Sequence, residues 1–376
     1  MIEIKQVKTS RELKTFIQFY YDLYRGNACA VPYLYSDELG TLRRDKNPSF
    51  ECCEAEYFLA LRDGKVVGRV AAIINHRANA RWQRKQVRFG WFDFIDDIEV
   101  SQALLKAVED WGRQKGMTEI AGPLGFIDTD REGMLIEGFD ELGTMYINYN
   151  YPYYPRHMAQ MGGYEKDNDY MEYKVRVPDV VPDKFAKVTD MVRRRYGLRV
   201  HKFTRHELTE EGKGREIFHL LNATYKDLYG FSELSQKQID KLVNDYIKIA
   251  DLNLVTAVMD GDKMVGFGIT FPSFSRALQQ TRDGRLFPFG WWPLLKILKW
   301  HKTDTVDLLL IGVLPEYRSK GANALIFDDL IRWFQKYQFK WAEAMPQMET
   351  NEGVRSQWQY LESEQHRRHR CYKKNI

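Results

Sequence analysis

Residues 306–324 read VDLLLIGVLPEYRSKGANA, an apolar run that breaks at Pro315 and crosses Arg318, Ser319, Lys320 and Gly321 into Ala322, Asn323 and a helical pattern. A chain that leaves a strand this way and enters a helix presents backbone N–H groups that have no partner inside the helix. They sit at the positive end of the helix dipole, where a pyrophosphate binds well. Gly321 lets the backbone curl close to such an anion, and Arg318 and Lys320 add positive charge beside it. The plainer reading of the same residues is a strand-to-helix connection that happens to contain a glycine.

The elements that must hold this turn occur twice. Glu56–Ile73 (EYFLALRDGKVVGRVAAI) and Asn253–Thr270 (NLVTAVMDGDKMVGFGIT) each read as strand, Asp-Gly turn, strand, with Asp63-Gly64 and Asp260-Gly261 as the turn signals. Further on, Ala103–Pro123 and Ala324–Pro346 each begin as an amphipathic helix and end in a short apolar strand that stops at a proline. Leu104, Val108 and Trp111 mark the helical stripe in one, and Ile326, Leu330 and Phe334 in the other. Strands are expected at Ile2–Lys8 and Arg199–Phe203. Helices are expected at Ser10–Tyr24, Lys184–Tyr196, Gly214–Tyr229 and Ser235–Ala250, with Ser10 and Ser235 as N-caps. Matched elements in matched order predict an internal duplication in an α/β fold built on a mixed sheet. Residues 1–178 and 183–376 are the two expected domains, joined at Pro178–Pro182. In the first half the stretch that stands where the anion turn should be is Phe92–Val100 (FDFIDDIEV). It has no Arg, Lys or Gly, and its Asp93, Asp96, Asp97 and Glu99 would repel a phosphate.

Val313, Pro315, Arg318 and Gly321 together resemble the acyl-CoA signature of the GNAT superfamily, with Asn323 departing from the Gly or Ala found there. The resemblance extends over nearly all of 200–376, through the hairpin, strand and helix order on both sides. It implies two tandem GNAT-like domains, the first degenerate and the second with an intact signature. It also implies that the backbone at Ile311 and Val313 pairs with the pantetheine arm of acetyl-CoA or another acyl-CoA. The pyrophosphate would be cradled by Arg318, Ser319, Lys320, Gly321, Ala322 and Asn323. Asn351 resembles the Asn that opens the last helix of such domains. The usual Tyr lies seven residues on, but Trp358 stands there, so Tyr360 is the nearest phenol.

Acyl transfer to an amine needs a base for the ammonium and an acid for the leaving thiolate. Glu343, on the strand expected at 340–345, and Glu349 are the candidate bases, although Glu349 could equally cap the helix after Asn351. Tyr360 is the candidate acid, with Tyr149 and Tyr151 as alternatives from the first half. Cys29, Cys52, Cys53 and Cys371 form neither a nucleophile arrangement nor a metal-ligand spacing, so direct transfer without a metal is expected. The expected function is acyl-CoA-dependent N-acyl transfer, with acetyl as the first candidate, to a small-molecule or peptide amine. An aminoacyl-tRNA- or carrier-dependent transferase is an alternative, for which the tail QHRRHRCYKK (365–374) is the one basic tract. A non-catalytic protein that binds CoA or another ligand is a third. A net charge of +4 argues against nucleic acid, and no run is apolar enough to span a bilayer. A cytoplasmic monomer or weak dimer is expected. The interruption Arg285–Trp300 (RLFPFGWWPLLKILKW) can be a lid, an interfacial membrane contact or a helix packed between domains.

Overall fold

Thirteen strands join in one mixed sheet whose order is nearly the same read from either end. The computed structural model describes residues 1–376 except 352, 354–356, 359 and 360, and no side chain is described at 184, 247 and 248. The first half supplies β1 (Glu3–Gln6), β2 (Cys53–Arg62), β3 (Lys65–Asn75), β4 (Gln86–Phe94), β5 (Glu119–Gly122), β6 (Met134–Glu137) and β7 (Glu165–Arg176). From the second come β8 (Arg199–His201), β9 (Val255–Asp260), β10 (Lys263–Pro272), β11 (Thr305–Val313), β12 (Trp341–Met348) and β13 (Ser363–Asn375). The path runs β1-β2-β3-β4-β5-β13-β7-β12-β11-β10-β9-β8, with β6 paired to β13. In each half four antiparallel strands lead to one parallel pair, β4 with β5 and β11 with β12. The duplication is therefore explicit in the topology.

The last strand of each half lies beside the fifth strand of the other. β13 runs antiparallel to β5, and β7 runs antiparallel to β12. The two then pair with each other along nearly their whole length. The sheet thus continues through the point where the sequence divides. One face carries a single core to which both halves contribute, with Phe16, Ile17 and Tyr20 packed in the same cluster as Phe218, Leu221 and Phe271. On the other face each half has its own core. Helix Ile98–Gln114 buries Val100, Leu104 and Val108 there, and helix Ala322–Lys336 buries Leu325, Ile326, Leu330 and Phe334.

Most expected elements form, with small shifts. Thr9 rather than Ser10 caps the first helix, because its hydroxyl accepts from the Glu12 amide while Glu12 reaches back in a capping box. Ser235 caps Gln236–Ile249 in the same way, with Gln238 returning the bond. The two hairpin turns differ by one residue. Arg62 pairs with Lys65, so Asp63-Gly64 is the turn in the first half. Asp260 pairs with Lys263, so in the second half the turn is Gly261-Asp262, and Asp260 still belongs to the strand.

The exchanged strands bury a set of charges at the centre. Arg367 on β13, 1 % exposed, meets Glu172 on β7 at 2.9 Å and Glu343 on β12 at 3.1 Å. His366 lies 2.8 Å from Glu343, and His369 lies 2.5 Å from Glu172. Asp307, whose Cα pairs with that of Glu343, is 1 % exposed, and the Ser273 hydroxyl favours its charged form by hydrogen bonding. Burial, with the Glu343 charge adding to it, pushes Asp307 from 3.8 up to about 8. The folded protein therefore holds a proton there that the unfolded chain has released, and the site weakens the fold progressively as pH rises from about 4 to about 8. Asp307→Asn should remove that penalty. The expected gain is small near pH 4 and on the order of a few kcal/mol above pH 8, read from denaturant melts across the range.

Candidate functional site

β11 and β12 pair in parallel from Thr305 and Trp341 as far as Leu308 and Ala344, and then part. Each keeps its outer neighbour beyond that point, β11 holding β10 to Val313 and β12 holding β7 to Met348. A slot of about 180 Å³ opens between them. Leu309, Ile311, Met345 and Met348 give it apolar walls, and Tyr225 and Trp358 close it. Because the strands diverge, the backbone edge of β11 at the slot is left without a strand partner on that side, which suits an extended amide-bearing arm. The Tyr225 hydroxyl donates to the Ile311 carbonyl oxygen at 3.1 Å and takes up one of its lone pairs.

The anion turn lies at the far end of β11. Gly321 caps the 15-residue helix Ala322–Lys336 with φ +82, and no side chain caps that N-terminus. Ala322 and Asn323 are the first residues of the helix, so their amides face the turn without intrahelical acceptors. A side chain at 321 would meet Val192 Cγ2 at 3.1 Å and Val188 Cγ1 at 3.3 Å, on helix Asp183–Tyr196. Arg318 does more than add charge. Its Nε donates to the Val313 carbonyl at 3.1 Å and its Nη2 donates to the Thr224 carbonyl at 3.3 Å, so it ties the end of β11 to the helix behind it. Lys320 lies 4.1 Å from the Tyr317 ring centre, and Ser319 is exposed at the turn. The residues present fit a CoA. The uncapped helix end and Gly321 match a pyrophosphate, and the slot matches a thin apolar-and-amide arm.

In the first half the corresponding seat is filled by the protein's own carboxylates. Asp97 caps helix Ile98–Gln114 by accepting from the Glu99 amide at 2.9 Å, and Arg62 pairs with Asp97 at 2.6 Å. Although burial opposes it, the Arg62 contact and the Glu99 amide hold Asp97 below its ordinary range, so it stays charged. Asp93 is tied to the buried Arg69 at 2.7 Å, and Asp96 to His157 at 3.0 Å. The two halves thus differ in that a carboxylate of the chain caps the first-half helix, while no side chain caps its second-half counterpart.

Of the expected acid–base residues, Glu343 is locked between Arg367 and His366, and Glu349 pairs with Lys166 at 2.6 Å. Neither lines the slot. Tyr360 lies outside the described residues. Asn351 lines the slot, and its backbone N–H donates to the Met348 carbonyl oxygen at 2.9 Å. Trp358 spends its one polar group on Gln347, at 3.0 Å. Tyr149 and Tyr151 donate to the Phe139 and Leu23 carbonyls and pack on the Tyr24 ring within the first half.

The first half contributes what the sequence reading missed. Glu132 and Asp128, from the loop between β5 and β6, line the slot beside Tyr170 and Tyr229. Burial, joined by the charge of Asp128, pushes Glu132 up to about 8. Burial likewise lifts Asp128 to about 6, against the opposing pull of Arg88. The pair titrates as a unit in the neutral range, where a general base works best. The run Asp128-Thr129-Asp130-Arg131-Glu132 was the available signal, an acid-rich stretch in the loop that follows the strand ending at Gly122.

A second cavity of about 510 Å³ is formed by both halves, with Tyr20, Tyr33, Trp91 and Tyr146 facing Asp245 and Tyr246. Its charged walls are largely paired internally, Glu38 with Arg131 and Asp93 with Arg69.

The fold is that of the GNAT acyltransferases, in tandem. Superposed on a tandem GNAT protein from the clavulanic acid biosynthesis pathway, the chain gives a TM-score of 0.59 at 10% identity, covering 100% of this chain and 98% of the other. In sequence it is 28% identical to Protein YghO of Escherichia coli K12, over 99% of this chain and 95% of that protein. It is 26% identical to a protein named bacterial ceramide synthase from Caulobacter vibrioides, over 86% and 84% respectively. No family profile matches the chain.

Proposed function

We propose that the chain transfers an acyl group from an acyl-CoA to an amine, at the slot between β11 and β12. The parting of these two strands carries the reading, because β11 runs from the slot at Leu308–Ile311 towards the uncapped helix end at Gly321, although no residue of the turn at 318–323 itself lines the slot. In this reading 183–376 is the domain that binds acyl-CoA, and 1–178 is a degenerate copy that lends Glu132 and Asp128. The amine nitrogen attacks the thioester carbonyl, the C–N bond forms and the C–S bond breaks. Glu132 takes one proton from the ammonium before attack, and the second proton that the nitrogen sheds as the amide forms passes to the departing CoA thiolate.

The name of the Caulobacter relative favours one acceptor class. A ceramide is the amide of a long-chain amine, so a long-chain amine is proposed ahead of a small or peptide amine. The tRNA reading loses its feature, because the basic tail is strand β13 and its cations are engaged. Arg370 holds Asp169 at 2.7 Å, and Lys374 holds Glu109 at 2.8 Å.

Thermal melts with acetyl-CoA, long-chain acyl-CoAs and free CoA test the donor, since a ligand that binds only the native state raises its stability. Titration calorimetry should give one CoA per chain, unchanged in Asp96→Lys/Asp97→Lys. A stoichiometry of two defeats the asymmetry. Mass spectrometry of the amide formed from a long-chain amine then decides the acceptor. Binding without turnover of any amine would leave the non-catalytic reading.

A further inference from the structure

Among the described residues nine large apolar side chains are exposed, and five of them fall within 287–300. Phe287 and Phe289 are 81% and 79% exposed, and Trp291, Trp292 and Trp300 are 42%, 44% and 47% exposed. Such a concentration is unusual for a surface that faces only water. Trp291 and Trp292 line neither of the cavities above, so they are not a lid over them. Nor is the segment a buried packing helix. Helix Trp291–Trp300 turns Ile297 into the shared core, with Leu294 and Leu298 packed against it, and leaves Trp292, Lys296, Lys299 and Trp300 outward.

Charge accompanies the aromatics. Between 285 and 303 there is no Asp or Glu, while Arg285, Lys296, Lys299 and Lys302 are present. Lys296 lies 5.4 Å from the Trp292 ring centre, and Lys299 lies 5.3 Å from that of Trp300. Indole rings settle at the boundary between headgroups and acyl chains, and lysine stems lie along them with the ammonium turned to the phosphates. We propose that Phe287–Trp300 docks this protein on an anionic lipid surface. Phe287 and Phe289 enter the acyl boundary, the tryptophans lie in the interface, and the lysines meet the headgroups. The inference does not depend on the acyl-transfer reading.

Flotation of the full chain with vesicles tests it. The expected result is partitioning onto vesicles of phosphatidylglycerol and phosphatidylcholine in equal parts at least about tenfold above phosphatidylcholine alone. Phe287→Ser/Phe289→Ser/Trp292→Ser should lose flotation about tenfold or more with little change in the melting curve, since Phe287 and Phe289 are mostly exposed and Trp292 rests on the surface residues Trp291, Trp300 and Lys296. Lys296→Glu/Lys299→Glu should erase the preference for the anionic vesicles. Absence of flotation, or equal flotation of wild type and the triple serine variant, overturns the proposal. So does a dimer in light scattering that the triple serine variant converts to monomer, which would assign the patch to a second copy of the chain.

Discussion

Gly321→Val is expected to abolish the stabilisation of this protein by CoA. The residue holds φ +82 at the helix cap, a conformation that costs a β-branched side chain on the order of 1–3 kcal/mol. The new side chain would also start 3.1 Å from Val192 Cγ2 and 3.3 Å from Val188 Cγ1, so helix Asp183–Tyr196 must give way or the turn must open. Either movement displaces the amides of Ala322 and Asn323 from the place where a pyrophosphate would sit. With ligand at a hundred times its Kd, wild type should gain about 2.7 kcal/mol, and the variant should gain nothing measurable. General destabilisation is separated by Gly212→Val. Gly212 caps helix Lys213–Tyr225 with φ +78 and has nothing within 4 Å of its would-be side chain. That variant carries the same backbone strain far from the slot, so its melting point should fall while the CoA-induced shift remains. Equal loss in both variants would mean that the effect is one of folding, and retention in Gly321→Val would remove the anion seat from the second half.

What could be read from the sequence was whatever is local. The turn at 315–323 is legible because proline, glycine and the start of a helical stripe act on their neighbours. The duplication is legible because hairpin and helix signals recur in order. The exchange of β7 and β13 leaves no local mark, since a strand's pattern records which faces are buried but not which neighbour buries them. Glu343 illustrates the consequence. On the sequence it is an acid on the strand next to the cofactor strand, a natural base. Arg367 and His366, delivered by the exchanged strand, convert it into a partner in a buried ion pair. Glu132 was hidden by the same distance. It belongs to the half whose own anion seat is closed, and only tertiary packing carries it to the slot of the other half. The hairpin turn at Gly261-Asp262 shows a smaller limit. Asp-Gly and Gly-Asp both offer a two-residue turn, and the cross-strand register of Asp260 with Lys263 chose between them.

Glu132→Gln is expected to lower the rate of acyl transfer about 10²–10⁴-fold while leaving CoA binding in place. In the wild type, Glu132 can accept a proton only once it has lost its own. The rate constant at saturating acyl-CoA should therefore rise through the range from about 6 to about 8 where Asp128 and Glu132 titrate together, and level above it. The glutamine variant should show a flat, low profile. Stability should move the other way. A carboxyl whose folded pKa is raised keeps its proton in the native state after the unfolded chain has released it, so it costs stability increasingly from about pH 4 to about pH 8. Glu132→Gln removes this cost, so the variant should melt higher than wild type at pH 8 and nearly level with it at pH 4. Asp307→Asn should repeat the gain in stability, because Asp307 is buried for the same reason, yet it should keep the rising pH–rate profile because Asp307 does not line the slot. A rising profile that persists in Glu132→Gln, or one that flattens in Asp307→Asn instead, would move the base from the first-half loop to the central strands.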